Sequence, residues 1–482
     1  MKVLIINPPA RARVYGPLSP LAAIEMPVWA GIIGAFLDNH GYENEVLDCE
    51  AEGQDVEQAA AAIQAQAPDL AIFTIYGQQP SASTQCYPAA QEVACRLIGV
   101  RTICIGTHPS ALAEQTLREG PWTYVCQGEG PLTVLGLLHV MERMGDLRDV
   151  AGLWWRDGKT LIQNDPAPLL DLERLPGRGF YKFDPHRYRA HNWHAFGYAS
   201  RTPYASLQTS LGCPFRCEFC CINAPFGAAG IRHWPVENVF RMFQLLAQNG
   251  IVHVKIPDEM FVLNPKQVDA ICDRIITLNH KFNIWAYARV DTVKDDALLE
   301  KMKRAGFNWL GLGVESGSKH VRDGAGKGRF GTPDIVNAIH RVRSHGINVG
   351  ANYIFGLPDD DHFSMQETLD LACELNTEWA NFYCAMAYPG SPLHRLARLK
   401  GWALPEDGPG WIGYAQHAYE CLPLPTDKLK AAEVLKFRDN AFHHYFERPE
   451  YLALVKSKFG ADAEQQVRDM TKTRLKRALY AI

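Results

Sequence analysis

Cys213, Cys217, Cys220 and Cys221 crowd four thiols into the stretch "TSLGCPFRCEFCCINAPFG". The first three form C-x3-C-x2-C, and Gly212 with Pro214 argues against one continuous helix, so the loop reads as a wrap around a ligand. Soft sulfur donors select zinc or an iron–sulfur cluster. A structural zinc site closes four ligands, often as two C-x2-C pairs or with histidines, and no second pair stands elsewhere in the chain. Cys221 directly follows Cys220, and adjacent residues seldom point to one centre. Three ligands, Cys213, Cys217 and Cys220, are therefore expected to converge on one point and leave one metal position open. Zinc and unligated core cysteines are the alternatives.

Such a loop must be held by a fold. It follows the first of six apolar runs, "ASLQTSL", "VHVKIP", "FNIWAYA", "NWLGLGV", "NVGANYIF" and "ANFYCAMAY", each trailed by a helical pattern. The series predicts a full or partial (β/α) barrel of TIM type over 201–390, in which chemistry gathers at the loops after the strands. Thr332-Pro333-Asp334 marks one helix start, with Ile335, Val336, Ile339 and Val342 as its apolar stripe.

Ahead of the barrel, residues 1–145 alternate "KVLII", "ENEVLD", "DLAIFTI", "RTICIG" and "WTYVCQ" with helical patterns. Trp29, Ile32, Ile33, Phe36 and Leu37 recur at helical spacing, and Gly41 stands where a left-handed cap ends that helix. This order predicts an α/β, Rossmann-like doubly wound parallel sheet with a ligand site beyond the strands' carboxyl ends. Residues 146–200 read as a linker carrying a hairpin, "GLWWRDGKTLIQN", that turns at Asp157-Gly158. Residues 391–482 read as a C-terminal helical domain, with "DKLKAAEVLKFRDNAFHHYF" its clearest segment.

Composition bounds the partners. A chain of 482 residues, 47% apolar and 21% charged, is globular and long enough for several domains. The net charge of -4 gives no field that gathers nucleic acid or an anionic membrane surface. No apolar run approaches a membrane span, and "MKVLIINPPA" holds too short a run for a signal, so a cytoplasmic location is expected. Thirteen cysteines, an odd number, do not suggest a disulfide framework. Cys104, Cys126, Cys272 and Cys384 are expected as core fillers.

"CPFRCEFC", with an aromatic residue before its last cysteine, resembles the radical S-adenosylmethionine motif, and the resemblance extends over roughly residues 200–390. It implies a 4Fe-4S cluster whose unligated iron is chelated by the amino and carboxylate groups of S-adenosylmethionine. An electron passed through that cluster, from an external donor of flavodoxin or ferredoxin type, would cleave the sulfonium bond and give a 5'-deoxyadenosyl radical. The resemblance also assigns positions in order. Asp258 and Glu259 in "IPDEMF" would meet the methionine ammonium, although Asp258 equally suits a turn or cap. Arg289 would fork onto the cofactor carboxylate or stand solvated. Glu315 and Ser316 in "GVESGS" would bond ribose hydroxyls or the methionine moiety, with Ser316 or Ser318 otherwise a cap. Tyr353 in "NYIFGLP" would flank adenine or belong to the core, like Phe355. Phe219 would position the cofactor through its backbone or pack the loop.

The whole chain resembles enzymes that join an N-terminal cobalamin-binding domain to such a barrel. The carriers are "NPP" (Asn7 and Pro8), "GTHPS", "QGEGP", the hairpin and the helical tail, in that order. Free-standing cobalamin modules carry D-x-H-x-x-G, whereas "DCEAEG" here places Glu50 where the cobalt-ligating histidine would be, between Asp48 and Gly53. Histidine ligation is therefore not expected, and the cobalt's lower face should meet Tyr76, Gly77 or Gln78 after the third strand. Gly106, Thr107, Gln127, Gly128 and Glu129 would line the nucleotide tail, the glycines otherwise serving tight turns. His108 would bond the cofactor or stand at the surface, the second being expected.

The function implied is methyl transfer from S-adenosylmethionine, through methylcobalamin, to an unactivated carbon of a small-molecule substrate. The alternatives are cobalamin-dependent oxidation, cyclisation or rearrangement without methyl transfer, as in the anaerobic porphyrin ring cyclases, and a non-catalytic cobalamin or iron–sulfur sensor. Trp193, His194, Tyr204, His253, Trp285 and Tyr383 are candidates for the substrate cavity, with packing the expected role.

Overall fold

The computed structural model describes residues 1–77, 79, 81–175, 179–327 and 330–480. The first five apolar runs form strands β1 (Val3–Asn7), β2 (Asn44–Asp48), β3 (Leu70–Ile75), β4 (Thr102–Gly106) and β5 (Tyr124–Cys126). They pair in parallel in the order β2-β1-β3-β4-β5. β3 and β4 are buried along their whole length, as strands covered by helices on both faces must be. One cover is the helix Val28–Asn39, which buries Trp29, Ile32, Ile33, Phe36 and Leu37 and gives way to Gly41 at φ +81°.

The hairpin anticipated in the linker does more than connect. Its strands β6 (Leu153–Asp157) and β7 (Thr160–Gln163) extend this sheet to seven strands, with β6 antiparallel to β5. Leu153 and Trp155 supply the buried alternate positions that hold it there. Asp157 pairs with Thr160, so the loop proper is Gly158-Lys159, one residue later than the sequence suggested, with Gly158 at φ +61°.

The second series also appears, with one break. "ASLQTSL" splits into β8 (Tyr204–Ser206) and β9 (Ser210–Cys213), and β9 pairs antiparallel with β10 (Gly230–His233) in a separate ribbon. β8 is joined in a six-stranded parallel sheet by β11 (His253–Lys255), β12 (Asn283–Arg289), β13 (Phe307–Glu315), β14 (Asn348–Phe355) and β15 (Trp379–Cys384). The order β15-β14-β13-β12-β11-β8 follows the sequence, which makes a partial barrel. The helix Thr332–Ser344 lies on it through Ile335, Ala338, Ile339 and Val342.

A side chain from outside the sheet fills one end of the partial barrel. Trp193, in the linker, lies 4.7 Å from Trp285, 5.1 Å from Trp309 and 5.7 Å from Trp379, ring centre to ring centre. Replacing Trp193 by alanine is expected to lower unfolding stability by about 3–5 kcal/mol, the usual cost of emptying an aromatic core position. Chemical denaturation would measure it. Two further helices pack on the partial barrel: Ala431–Phe446 through Tyr445 on Phe382, and Pro449–Phe459 through Phe459, which stacks on Trp309 beside the Trp193 plug.

Cys104, Cys126, Cys272 and Cys384 are buried free thiols, as expected of core fillers. Among the described residues no helix is long and apolar enough to cross a membrane.

Candidate active site

Side chains alternate across a strand, so one face of the partial barrel looks inward. Lys255, Trp285, Tyr287, Arg289, Glu315, Asn352, Asn381 and Tyr383 all face a cavity of about 430 Å³. Register aligns Arg289 with Gly313, Gly313 with Asn352 and Asn352 with Asn381, a row across three strand junctions. Gly313 leaves that row open for a reason. A Cβ there would lie 2.4 Å from Glu315 Oε1 and 2.5 Å from Lys327 Nζ, and these two side chains form an ion pair at 2.6 Å.

The cysteine loop forms one wall. Cys213 ends β9, and Cys213, Cys217, Cys220 and Cys221 all line the cavity. The loop is pinned from two sides, because the Glu218 amide donates to Ala325 O at 3.1 Å and the Leu393 amide donates to Glu218 O at 2.8 Å. Burial pushes the Cys213 thiol up to about 11, while the nearby Lys327 ammonium favours the thiolates of Cys213 and Cys217. Arg289 lies 4.0 Å over the Phe215 ring and also favours the Cys217 thiolate.

The carboxyl edge of the N-terminal sheet opens onto the same space. A smaller chamber of about 130 Å³ is lined by Asn7, Pro8, Glu50, Tyr76 and Gly77. It shares Tyr15, Glu25, Gln85 and His191 with the main cavity. Glu25 crosses between the domains to Lys255 Nζ at 2.6 Å, and Lys255 sits 4.5 Å over Trp285.

Residues 207–372 match the family model for the Radical SAM superfamily, and residues 19–138 match that for the B12 binding domain. The chain is a radical SAM enzyme with a B12 binding domain. Over 465 residues it is 25% identical to an uncharacterized methyltransferase of Pyrococcus horikoshii, covering 94% of each chain. It is 24% identical to the anaerobic magnesium-protoporphyrin IX monomethyl ester cyclase of Rubrivivax gelatinosus, over 82% of this chain and 69% of the cyclase. Its fold matches the radical S-adenosylmethionine methyltransferase TsrM of Kitasatospora setae, solved with tryptophan substrate and a SAM analogue bound, with a TM-score of 0.68 at 15% identity over 98% of both chains.

The cofactors of this enzyme class are a 4Fe-4S cluster, S-adenosylmethionine and cobalamin, and the residues can be tested against each. Among the described residues no three His, Cys, Asp or Glu side chains are spaced to hold a single metal ion. A cubane instead takes one thiolate per iron corner, and three free cysteines on one cavity wall beside Lys327 and Arg289 suit that donor set. Glu259 lines the same cavity, where burial pushes its carboxyl up to about 7 against the pull of Lys255 and Lys327.

Other expected cofactor residues are engaged within the protein. Asp258 accepts from the Thr209 amide at 2.8 Å, Thr209 Oγ1 at 2.6 Å and Ser210 Oγ at 2.6 Å, a long-range tie and not the local turn or cap weighed for it from sequence. These bonds fix the break between β8 and β9. Arg289 lines the cavity but forks onto Asp291 at 2.9 and 3.1 Å. Ser316 is buried against Thr368 Oγ1 at 3.1 Å. Tyr353 follows the inward-facing Asn352, so it points outward and stacks on Phe382 at 5.4 Å. Phe219 lines the cavity.

On the cobalamin side, Tyr76 stacks on Trp29 at 4.1 Å, and its hydroxyl donates to Gly128 O and Glu129 O at 3.1 and 2.9 Å. Gln127 Oε1 accepts from Trp154 Nε1 at 2.9 Å. The Glu129 carboxylate pairs with Arg232 and accepts from the Leu170 amide at 2.7 Å. Gly106 is required by close approach, since a Cβ would lie 1.9 Å from Ile75 O. Thr107 borders a cleft between the domains. Asn7, Pro8, Tyr76 and Gly77 thus face open space, the polar side chains of Gln127 and Glu129 serve the hairpin and linker, and Gln78 lies outside the described residues. His108 is buried, not exposed as expected: it packs on Tyr87 at 4.1 Å and Trp411 at 4.6 Å, and burial pushes its pKa down to about 3.

Of the aromatic and histidine candidates, Trp193, Trp285 and Tyr383 reach the cavity. His194, Tyr204 and His253 are buried in packing. Sequence reasoning missed Lys255, Lys327, Asn352, Asn381, His191, His417 and Arg438, all of which line the cavity. A signal existed for three of them. Lys255, Asn352 and Asn381 are polar residues inside runs otherwise fit for burial, and in a partial barrel covered outside by helices such residues point inward.

Proposed function

We propose that the enzyme transfers a methyl group from S-adenosylmethionine, by way of cobalamin, to an unactivated carbon of a small-molecule substrate. The observation that carries this reading is the shared space: the cysteine wall of the barrel and the carboxyl edge of the N-terminal sheet border one continuous set of residues, Tyr15, Glu25, Gln85 and His191. When bound, the cluster with S-adenosylmethionine supplies hydrogen abstraction and cobalamin supplies the methyl group. The chain's own residues place these groups and keep water away. Trp285, Tyr287 and Tyr383 give an apolar wall, and the loop pinned at Glu218 fixes the cysteines. Glu259 offers its carboxylate to the ammonium of S-adenosylmethionine. An external donor of flavodoxin or ferredoxin type supplies the electron.

The reading is tested by incubation with methyl-labelled S-adenosylmethionine. Label in the product is the expected result; 5'-deoxyadenosine formed alongside an unlabelled, cyclised or oxidised product would overturn it. Glu259→Gln is expected to raise the apparent KM for S-adenosylmethionine by roughly tenfold, the loss of one charge-assisted hydrogen bond, with cluster absorbance unchanged.

A further inference from the structure

Two histidines on the cavity wall are each held in one tautomer by the protein. His191 Nδ1 accepts from the Ala23 amide at 3.3 Å, so Nε2 carries the proton. His417 Nε2 lies 3.2 Å from Arg438 Nη2, and because a guanidinium only donates, the proton of His417 sits on Nδ1. Neither remaining N–H has a hydrogen-bond partner among the described residues, and both rings line the main cavity. Asn192, next to His191 in the chain, is buried, lines the same cavity, and has a carboxamide nitrogen without a partner among the described residues. These donors come from the linker and the C-terminal region, not from the barrel strands.

The charge behind this wall is positive. Arg201 spends its guanidinium on the carbonyl oxygens of Pro20, Leu21, Ala22 and Ala190, and neither it nor Arg189 pairs with a carboxylate among the described residues. Burial first, then Lys255, Arg201 and Arg189, disfavour protonation of His191. Glu25 offsets Lys255 at 2.6 Å, and Asp439 partly offsets Arg438 and Arg477 at the other end. The wall therefore combines neutral imidazole donors with uncompensated cations, a setting that favours an anionic acceptor over a neutral one.

We propose that His191, Asn192 and His417 form a recognition site for a carboxylate of the substrate. The proposal rests on the reading of this cavity as the substrate chamber. It is independent of whether methyl transfer or another reaction follows. Arg438 and the Ala23 amide act as positioning groups, because each fixes which imidazole nitrogen donates.

The experiment compares 4-phenylbutyrate with its uncharged amide, 4-phenylbutanamide, on holoenzyme loaded with cluster, cobalamin and S-adenosylmethionine. Binding is read by quenching of tryptophan fluorescence, since Trp193, Trp285 and Trp379 line the cavity. The acid is expected to bind about tenfold tighter than the amide. His191→Leu and His417→Leu should each shrink that preference, weakening the acid severalfold more than the amide, because the carboxylate gains more from each N–H donor than a neutral carbonyl does. His417→Gln, which retains an N–H donor, should preserve the preference, and this guards against a merely misfolded variant. Equal binding of acid and amide by the unaltered enzyme would overturn the proposal. So would a preference undiminished in both leucine variants, or leucine variants that shed cobalamin on gel filtration yet keep the preference, which would assign the donors to the corrin amides. Failure of methyl label to reach product would leave all of these outcomes readable.

Discussion

Cys217→Ala is expected to abolish formation of 5'-deoxyadenosine, with a fall of at least about a thousandfold, or ~4 kcal/mol in the barrier. Cys213→Ala and Cys220→Ala should do the same. The size follows from the donor set: the three thiols share one wall, and a cluster held at two corners has neither the geometry nor the charge balance that Lys327 and Arg289 provide. Iron and sulfide content after anaerobic reconstitution checks the cause, and turnover checks the effect. Cys221→Ala is the informative companion. It lies on the same wall, yet it is expected to retain the cluster, because its neighbour Cys220 already occupies the third corner. If Cys221→Ala loses iron while Cys220→Ala keeps it, the assignment of the third ligand is wrong.

Lys327→Met is expected to destabilise the fold by about 3–5 kcal/mol, as breaking a buried ion pair from one side commonly does. Lys327 pairs with Glu315 at 2.6 Å, and their side chains are 11% and 7% exposed, so the carboxylate left behind has little access to water. Glu315 also sits at φ +66° at the end of β13. Glu315→Leu combined with Lys327→Met should recover part of the loss, since both charges are then gone. Denaturation midpoints of the single and double variants decide this. A single variant with unaltered stability would show that solvent reaches the pair.

These two sites differ in how visible they are in the chain. The cysteines declare themselves by spacing, and the strands by apolar runs bounded by helical patterns. The parallel strands β1 to β5 and β11 to β15 follow from such local signals because parallel strands buried on both faces are strongly apolar, whereas the division of "ASLQTSL" and the ribbon strand β10 do not. Lys327 declares nothing. Its partner lies twelve residues away in sequence, and the pair becomes meaningful only when Gly313 brings the two side chains over a missing Cβ.

Side-chain direction was partly legible and partly misassigned. Once Asn352 faces inward, alternation sends Tyr353 to the outer face, so its core role could have been chosen from parity alone. Ser316 and Asp258 are different. Each is consumed by a partner from a distant segment, Thr368 in one case and Thr209 with Ser210 in the other, and no local period reveals that. The hairpin went to the linker because strand pairing between β5 and β6 is a tertiary fact. His191, His417 and Arg438 escaped for the same reason, since the cavity wall they complete is assembled from the linker and the C-terminal region.

Trp193 carries a practical corollary for anyone dissecting this enzyme. The plug that fills the end of the half barrel belongs to the stretch ahead of β8, whose neighbour β7 belongs to the other sheet. An expression fragment trimmed to begin at the first barrel strand would leave three indole rings facing solvent at its base, and it should precipitate. A fragment that starts upstream of that tryptophan keeps the plug, so the boundary for excision lies inside the connector.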